Sequence, residues 1–150
     1  MNHSTPRWIS VLLWLFAAMY LANGIEMFFF PSIWFFRLVP GVPETGSFNA
    51  HLVADGGTFY LGIAAGLVFA AIDARRNAVA VLMAAVASTM HAILHIYSHE
   101  AGLLSYQHMT TEVLGIYIPT ILLCVLAFML MRSGDASAHA TLRTAQEPSK

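Results

Sequence analysis

Hydrophobic positions along this chain gather into four long apolar stretches with short polar breaks between them. The stretches cover approximately residues 8–30, 49–72, 78–98 and 108–131. Each is long enough to cross a bilayer as a helix, which takes about 20 residues. Residues 1–132 therefore read as an all-α, integral membrane four-helix bundle. Residues 133–150 are polar and aperiodic, and read as a disordered cytoplasmic tail. Arg7 ahead of the first stretch also suits a cleaved signal peptide, but the apolar run continues to Phe30 and three more stretches follow. A retained span fits that pattern better.

The breaks carry their own expectations. Residues 31–48 place Trp34, Phe35 and Phe36 where aromatic rings suit the membrane interface, and Pro40, Gly41, Pro43 and Gly46 then stop any helix. This segment reads as a connector on the outer surface or as a cover over the mouth of the bundle. The break at 73–77 is short, so the second and third stretches should be antiparallel neighbours. Gly62 and Gly66 form a GxxxG element, and Ala84, Ala85, Ala87 and Ser88 offer a matching small surface, so these two faces are expected to meet. Pro119 predicts a kink in the fourth stretch.

Composition agrees with the pattern. Hydrophobic residues make up 58% and charged residues only 10%, against roughly a quarter charged in soluble domains. A net charge of −1 without a basic run argues against nucleic acid as a partner. Cys124 is the single cysteine, which excludes an internal disulfide or a two-cysteine redox motif. Arg7, Arg75, Arg76, Arg132, Arg143 and Lys150 fall on one side of the implied topology, with Arg37 alone on the other. Positive residues mark the cytoplasmic side, so both termini are expected there.

The polar residues inside the stretches are the candidate chemistry. His91, His95 and His99 recur every fourth residue, which confines three imidazoles to an arc of roughly 80° on one helix. His51 with Asp55 and His108 with Glu112 repeat the same spacing. With the topology above, Glu26, Asp55, His95 and Glu112 come to nearly one depth in the outer half, each from a different helix. A carboxylate facing mid-bilayer costs about 2.5–3.5 kcal/mol on insertion scales, so these groups should turn inward.

Imidazole and carboxylate at helical spacing are the donors that bundle metal sites use. The expected metal set is Glu26, His51, Asp55, His91, His95 and Glu112. Asp55, His91, His95 and Glu112 would ligate directly, while Glu26 and His51 would be further ligands or proton carriers. His99 and His108 are expected to line the entrance, with Asn23, Tyr60, Tyr97 and Tyr106 as supporting hydrogen-bond partners. The ion would be iron, copper, zinc or manganese, and the protein a metal-dependent membrane oxidoreductase. The alternative is a non-enzymatic membrane subunit in which the same groups share protons or hold a partner, with near-neutral pH mattering because histidine titrates there. A path for a small solute is a third option, disfavoured because four helices form a path only by oligomerising.

The string TGSFNAHLVADGGTFYLG at 45–62 resembles a motif of small bacterial four-helix membrane proteins grouped with the DoxX-like proteins. It carries Phe48, Asn49, His51, Asp55 and Gly57, followed in the third stretch by His91 and His95. The resemblance covers about residues 20–130 and implies a multi-pass protein of the bacterial inner membrane. Some DoxX relatives are linked to quinone-coupled oxidation, but no quinone-specific signature is present here. Expected partners are the lipid bilayer and either further copies of the chain or a membrane partner subunit.

Overall fold

The computed structural model describes residues 5–146, with side chains described to residue 132. Four helices are long and apolar enough to cross a membrane: α1 (Arg7–Phe29), α2 (Ala50–Ile72), α3 (Ala78–Glu100) and α4 (Tyr106–Arg132). Among the described residues there is no strand. The stretch boundaries read from hydropathy agree with these limits to within about two residues. Most large apolar side chains on the outward faces stay exposed, among them Leu15, Phe59, Phe69, Met83 and Phe128. Such a surface suits lipid and not water.

One apolar core joins all four helices at the end that carries the 73–77 turn. Ile9, Leu13 and Phe16 of α1 meet Leu67 and Ala71 of α2, Val81 and Ala85 of α3, and Leu123, Leu126 and Leu130 of α4. At the opposite end the apolar core is thin, comprising Met27, Phe35 and Val53. The buried polar groups described below occupy that end.

The closest helix contact is between α1 and α2, which departs from expectation. A Cβ on Gly57 would stand 2.8 Å from the Phe28 nitrogen, and one on Gly24 would stand 2.9 Å from Leu61 Cδ2. Only glycine permits that approach. A Cβ on Gly62 would meet nothing within 4 Å, while one on Gly66 would stand 3.4 Å from the Ala80 Cβ. The expected GxxxG seam against α3 is thus half absent. Gly62 lies about 140° around the helix from Gly57, so a glycine that packs and a glycine that faces outward can be near neighbours in sequence. The small surface of α3 is buried, and Ser88 receives polar partners from two helices. Its hydroxyl hydrogen-bonds that of Tyr20, and its carbonyl accepts from Thr120 Oγ1 at 3.3 Å.

The fourth helix is built in pieces. A 3₁₀ turn (Tyr106–His108) leads into one α-turn (Met109–Glu112), a π-turn (Val113–Tyr117) and a long helix (Ile118–Gln146). Pro119 has no N–H for the Gly115 carbonyl, and the π-turn that contains Gly115 ends two residues before the proline. The disturbance expected at Pro119 therefore takes the form of a widened turn that begins directly after Glu112. The helix continues to Gln146, into the 133–150 segment expected to be a disordered tail; side chains beyond 132 and all of 147–150 lie outside the described residues.

The 30–49 connection is compact. Asn23 Oδ1 accepts from the Trp34 indole at 3.3 Å, and Phe35 is buried against Met27 and Val53. Gly41 in the left-handed conformation at φ +85° and Gly46, extended at φ +150°, flank a 3₁₀ helix at Val42–Thr45 with backbone that favours glycine.

Candidate functional site

Glu112 is the centre of the site. It is 5% exposed, and its Oε2 lies 2.7 Å from His99 Nε2 and 3.3 Å from His95 Nδ1. The two imidazoles come from consecutive turns of α3, whereas the carboxylate comes from α4. The four-residue spacing of α3 puts the rings on one face, and Glu112 ends the single α-turn that precedes the π-turn.

The hydrogen bonds of His99 fix much of its chemistry. Its Nδ1 is 3.1 Å from the Leu104 carbonyl, a group that can only accept, so Nδ1 carries a proton. The other nitrogen then has two possible forms. Either Nε2 is protonated and donates to an ionised Glu112, or it is bare and accepts from a protonated Glu112. In both forms a single proton lies between Nε2 and Oε2. The Tyr106 ring stacks on His99 with centroids 4.6 Å apart, and the Tyr106 hydroxyl donates to Glu100 Oε1 at 3.2 Å.

His95 extends this arrangement. Its Nδ1 is buried without a hydrogen-bond partner, 3.3 Å from the same carboxylate oxygen that His99 holds. The His91 ring meets the His95 ring edge-on at 4.7 Å. His91, His95, His99 and Glu112 thus form one contiguous row.

The remaining expected site residues lie elsewhere. His51 and Asp55 contact each other at 3.4 Å with side chains 89% and 53% exposed, so this pair faces outward rather than into the bundle. Glu26 is half-buried and makes no ion pair or side-chain hydrogen bond among the described residues. His108 pairs not with Glu112 but with Glu44 Oε1 at 2.9 Å. His99, expected at the entrance, is instead 5% exposed at the centre. Among the described residues no group of three His, Cys, Asp or Glu side chains is placed to hold a metal ion. Hydrogen bonding explains part of this: a 2.7 Å approach between Nε2 and Oε2 leaves no room for an ion between them. Of the supporting residues, Tyr106 joins the site, Asn23 holds Trp34, Tyr60 packs at a tilt against Tyr20 and Tyr97 is exposed.

Sequence reasoning missed Leu104 and Glu44. Leu104 contributes only a backbone carbonyl, which leaves no mark on residue type. Glu44 did leave a signal, as the only carboxylate in a connection punctuated by glycine and proline. Its Oε2 accepts from the Ser105 amide at 3.0 Å, and its Oε1 from Gln107 Nε2 at 3.1 Å as well as from His108. The His108 hydrogen bond, followed by that from Ser105, holds the Glu44 carboxyl below the usual carboxylate range.

Comparison with known proteins adds no relative: no family, no curated protein and no solved structure matches this chain.

Proposed function

We infer that this protein is a non-enzymatic membrane component that holds an exchangeable proton between His99 and Glu112, near the outer face of a four-helix bundle. The observation that carries this reading is the 2.7 Å contact between Nε2 and Oε2, with both residues 5% exposed and Nδ1 committed to Leu104. A carboxylate oxygen with a second imidazole 3.3 Å away can pass that proton to His95 or take it back. Protonation then alters the attraction between α3 and α4, so proton binding and helix packing are coupled. The arginine distribution supports cytoplasmic termini, which puts the site on the outer side. The resemblance at 45–62 supports a bacterial inner membrane and a DoxX-like origin.

Infrared difference spectroscopy between acidic and alkaline pH tests the reading in detergent or vesicles. A carboxyl C=O band that is lost in Glu112→Gln and displaced in His99→Gln supports it. A difference spectrum unchanged by either substitution overturns it.

One observation favours a second reading. The unpartnered Nδ1 of His95, close to Glu112 and beside His91, is a donor set of the kind a transition ion uses once His99 releases the carboxylate. That reading retains the metal-dependent oxidoreductase expectation with a smaller residue set of His91, His95 and Glu112. Elemental analysis after loading with iron, copper, zinc or manganese separates the two. Stoichiometric metal lost in His95→Ala favours the metal, and no retained metal favours the proton.

A further inference from the structure

The connection between α1 and α2 reaches across the bundle to the far pair of helices. On its near side Val42 packs against the Met27, Phe35 and Val53 cluster of α1 and α2. Two residues later, Glu44 receives three hydrogen bonds from the α3–α4 turn: the Ser105 amide, Gln107 Nε2 and His108 Nε2. The backbone presses on the same turn. A Cβ on Gly41 would stand 3.0 Å from both Leu104 Cδ1 and His108 Cδ2, and the φ of +85° there already favours glycine.

That turn is not a neutral anchor. Leu104 is 5% exposed, and its carbonyl holds His99 Nδ1. Ser105, whose amide Glu44 binds, is the next residue. A continuous chain of contacts therefore runs from Glu44 through Ser105 and Leu104 to His99 and Glu112. The near side is fixed by packing and by the Trp34–Asn23 hydrogen bond, whereas the polar hold on the far side is one carboxylate whose partners are exposed or half-buried.

We propose that residues 39–46 form a strap whose Glu44 latch closes the outer mouth of the His99–Glu112 site and sets its access to the aqueous phase. The inference rests on the proton-sharing reading and adds its regulation. With the latch engaged, the Leu104 carbonyl stays on His99 and the pair is shut off from water. With the latch released, the turn lifts, Nδ1 loses its acceptor, and the imidazole meets solvent. The three bonds to Glu44 are partly exposed, so they open before the apolar core does.

Acylation by diethyl pyrocarbonate, mapped by peptide mass spectrometry, tests the strap on the intact protein. The exposed His51 serves as internal reference. In the unaltered chain His99 reacts far more slowly than His51. Glu44→Ala raises the relative rate at His99 by about fivefold, the effect of losing a net hydrogen bond or so. Gly41→Ala does the same through the backbone, and Glu44→Asp restores part of the protection. Should Glu44→Ala not purify as a helical protein, Glu44→Gln keeps the side-chain shape and is judged by the same criterion. His99 labelling within twofold of the unaltered chain in these variants, while His108 labelling rises, overturns the strap alone. His99 that reacts as fast as His51 in the unaltered chain overturns the buried site, and with it the proton reading.

Discussion

Two histidine–carboxylate pairs in this chain share their chemistry and differ in everything else. His51 and Asp55 sit one turn apart on α2, face outward and approach to 3.4 Å. His99 and Glu112 belong to different helices, are almost wholly buried and approach to 2.7 Å. A pair within one helix is placed by local spacing alone and needs no tertiary structure. A pair across helices exists only when the fold is made, so its energy belongs to the fold. Exposed pairs contribute from nothing to about 1 kcal/mol, while a broken buried pair leaves one polar group stranded at much greater cost. Spacing announces candidates, and burial decides which of them matter.

Substitutions that treat the two pairs alike should therefore give unequal results. The largest loss is expected for Glu112→Leu, which strands two imidazoles at once. About 3 kcal/mol should disappear from unfolding in a mixed detergent titration. A loss close to zero would erase the contrast between the pairs. His99→Leu should cost less than Glu112→Leu, because His95 Nδ1 remains 3.3 Å from the same oxygen. Equal losses in that titration would show that His95 contributes nothing.

The Glu44 latch sits between the two extremes, and its pH response has a definite sign. Its folded carboxyl titrates below the ordinary range, mainly because of His108. Its contribution is therefore complete above the unfolded value of about 4.3 and is lost as pH falls through the lower folded value. Hydrogen exchange at the Ser105 amide, corrected for intrinsic rates, should not accelerate from pH 8 to 5, where a charged His108 can only tighten the latch, and should accelerate below about 4. Acceleration already at pH 6 would contradict the latch assignment. The smallest effects are expected from His51→Gln and Asp55→Asn, each at most about 0.5 kcal/mol in the same detergent titration.

Much of the architecture was legible in the sequence because membrane spans are written in one dimension. Four helices emerged from hydropathy alone, since a bilayer demands long apolar segments. Helix contacts were harder to read. The GxxxG at Gly62 and Gly66 looked like the tight seam, but the close approach is at Gly24 and Gly57. Rotation of a helix about its axis is set by its neighbours, and a small-residue motif does not reveal which neighbour will use it.

The candidate site shows the same division. The α3 histidine row was legible because its period matches the helix, and Glu112 followed from membrane depth. Equal membrane depth joins Glu26 and Asp55 to that row, and the four-residue spacing to Asp55 adds His51. Depth fixes only one coordinate of a side chain, and the direction it faces put His51 and Asp55 on the outside. His99 moved from entrance to centre because the α3–α4 turn folds back over it through the Leu104 carbonyl, a tertiary contact without a sequence signature.

The proton between α3 and α4 is most directly observed by ¹⁵N NMR of histidine-labelled protein across pH 5–9. His99 is expected to keep Nδ1 protonated throughout and to show a shifted Nε2 signal in Glu112→Gln, with the His51 signals unmoved by that substitution. A His99 ring that titrates like His51 and ignores the loss of the Glu112 carboxylate would contradict that expectation.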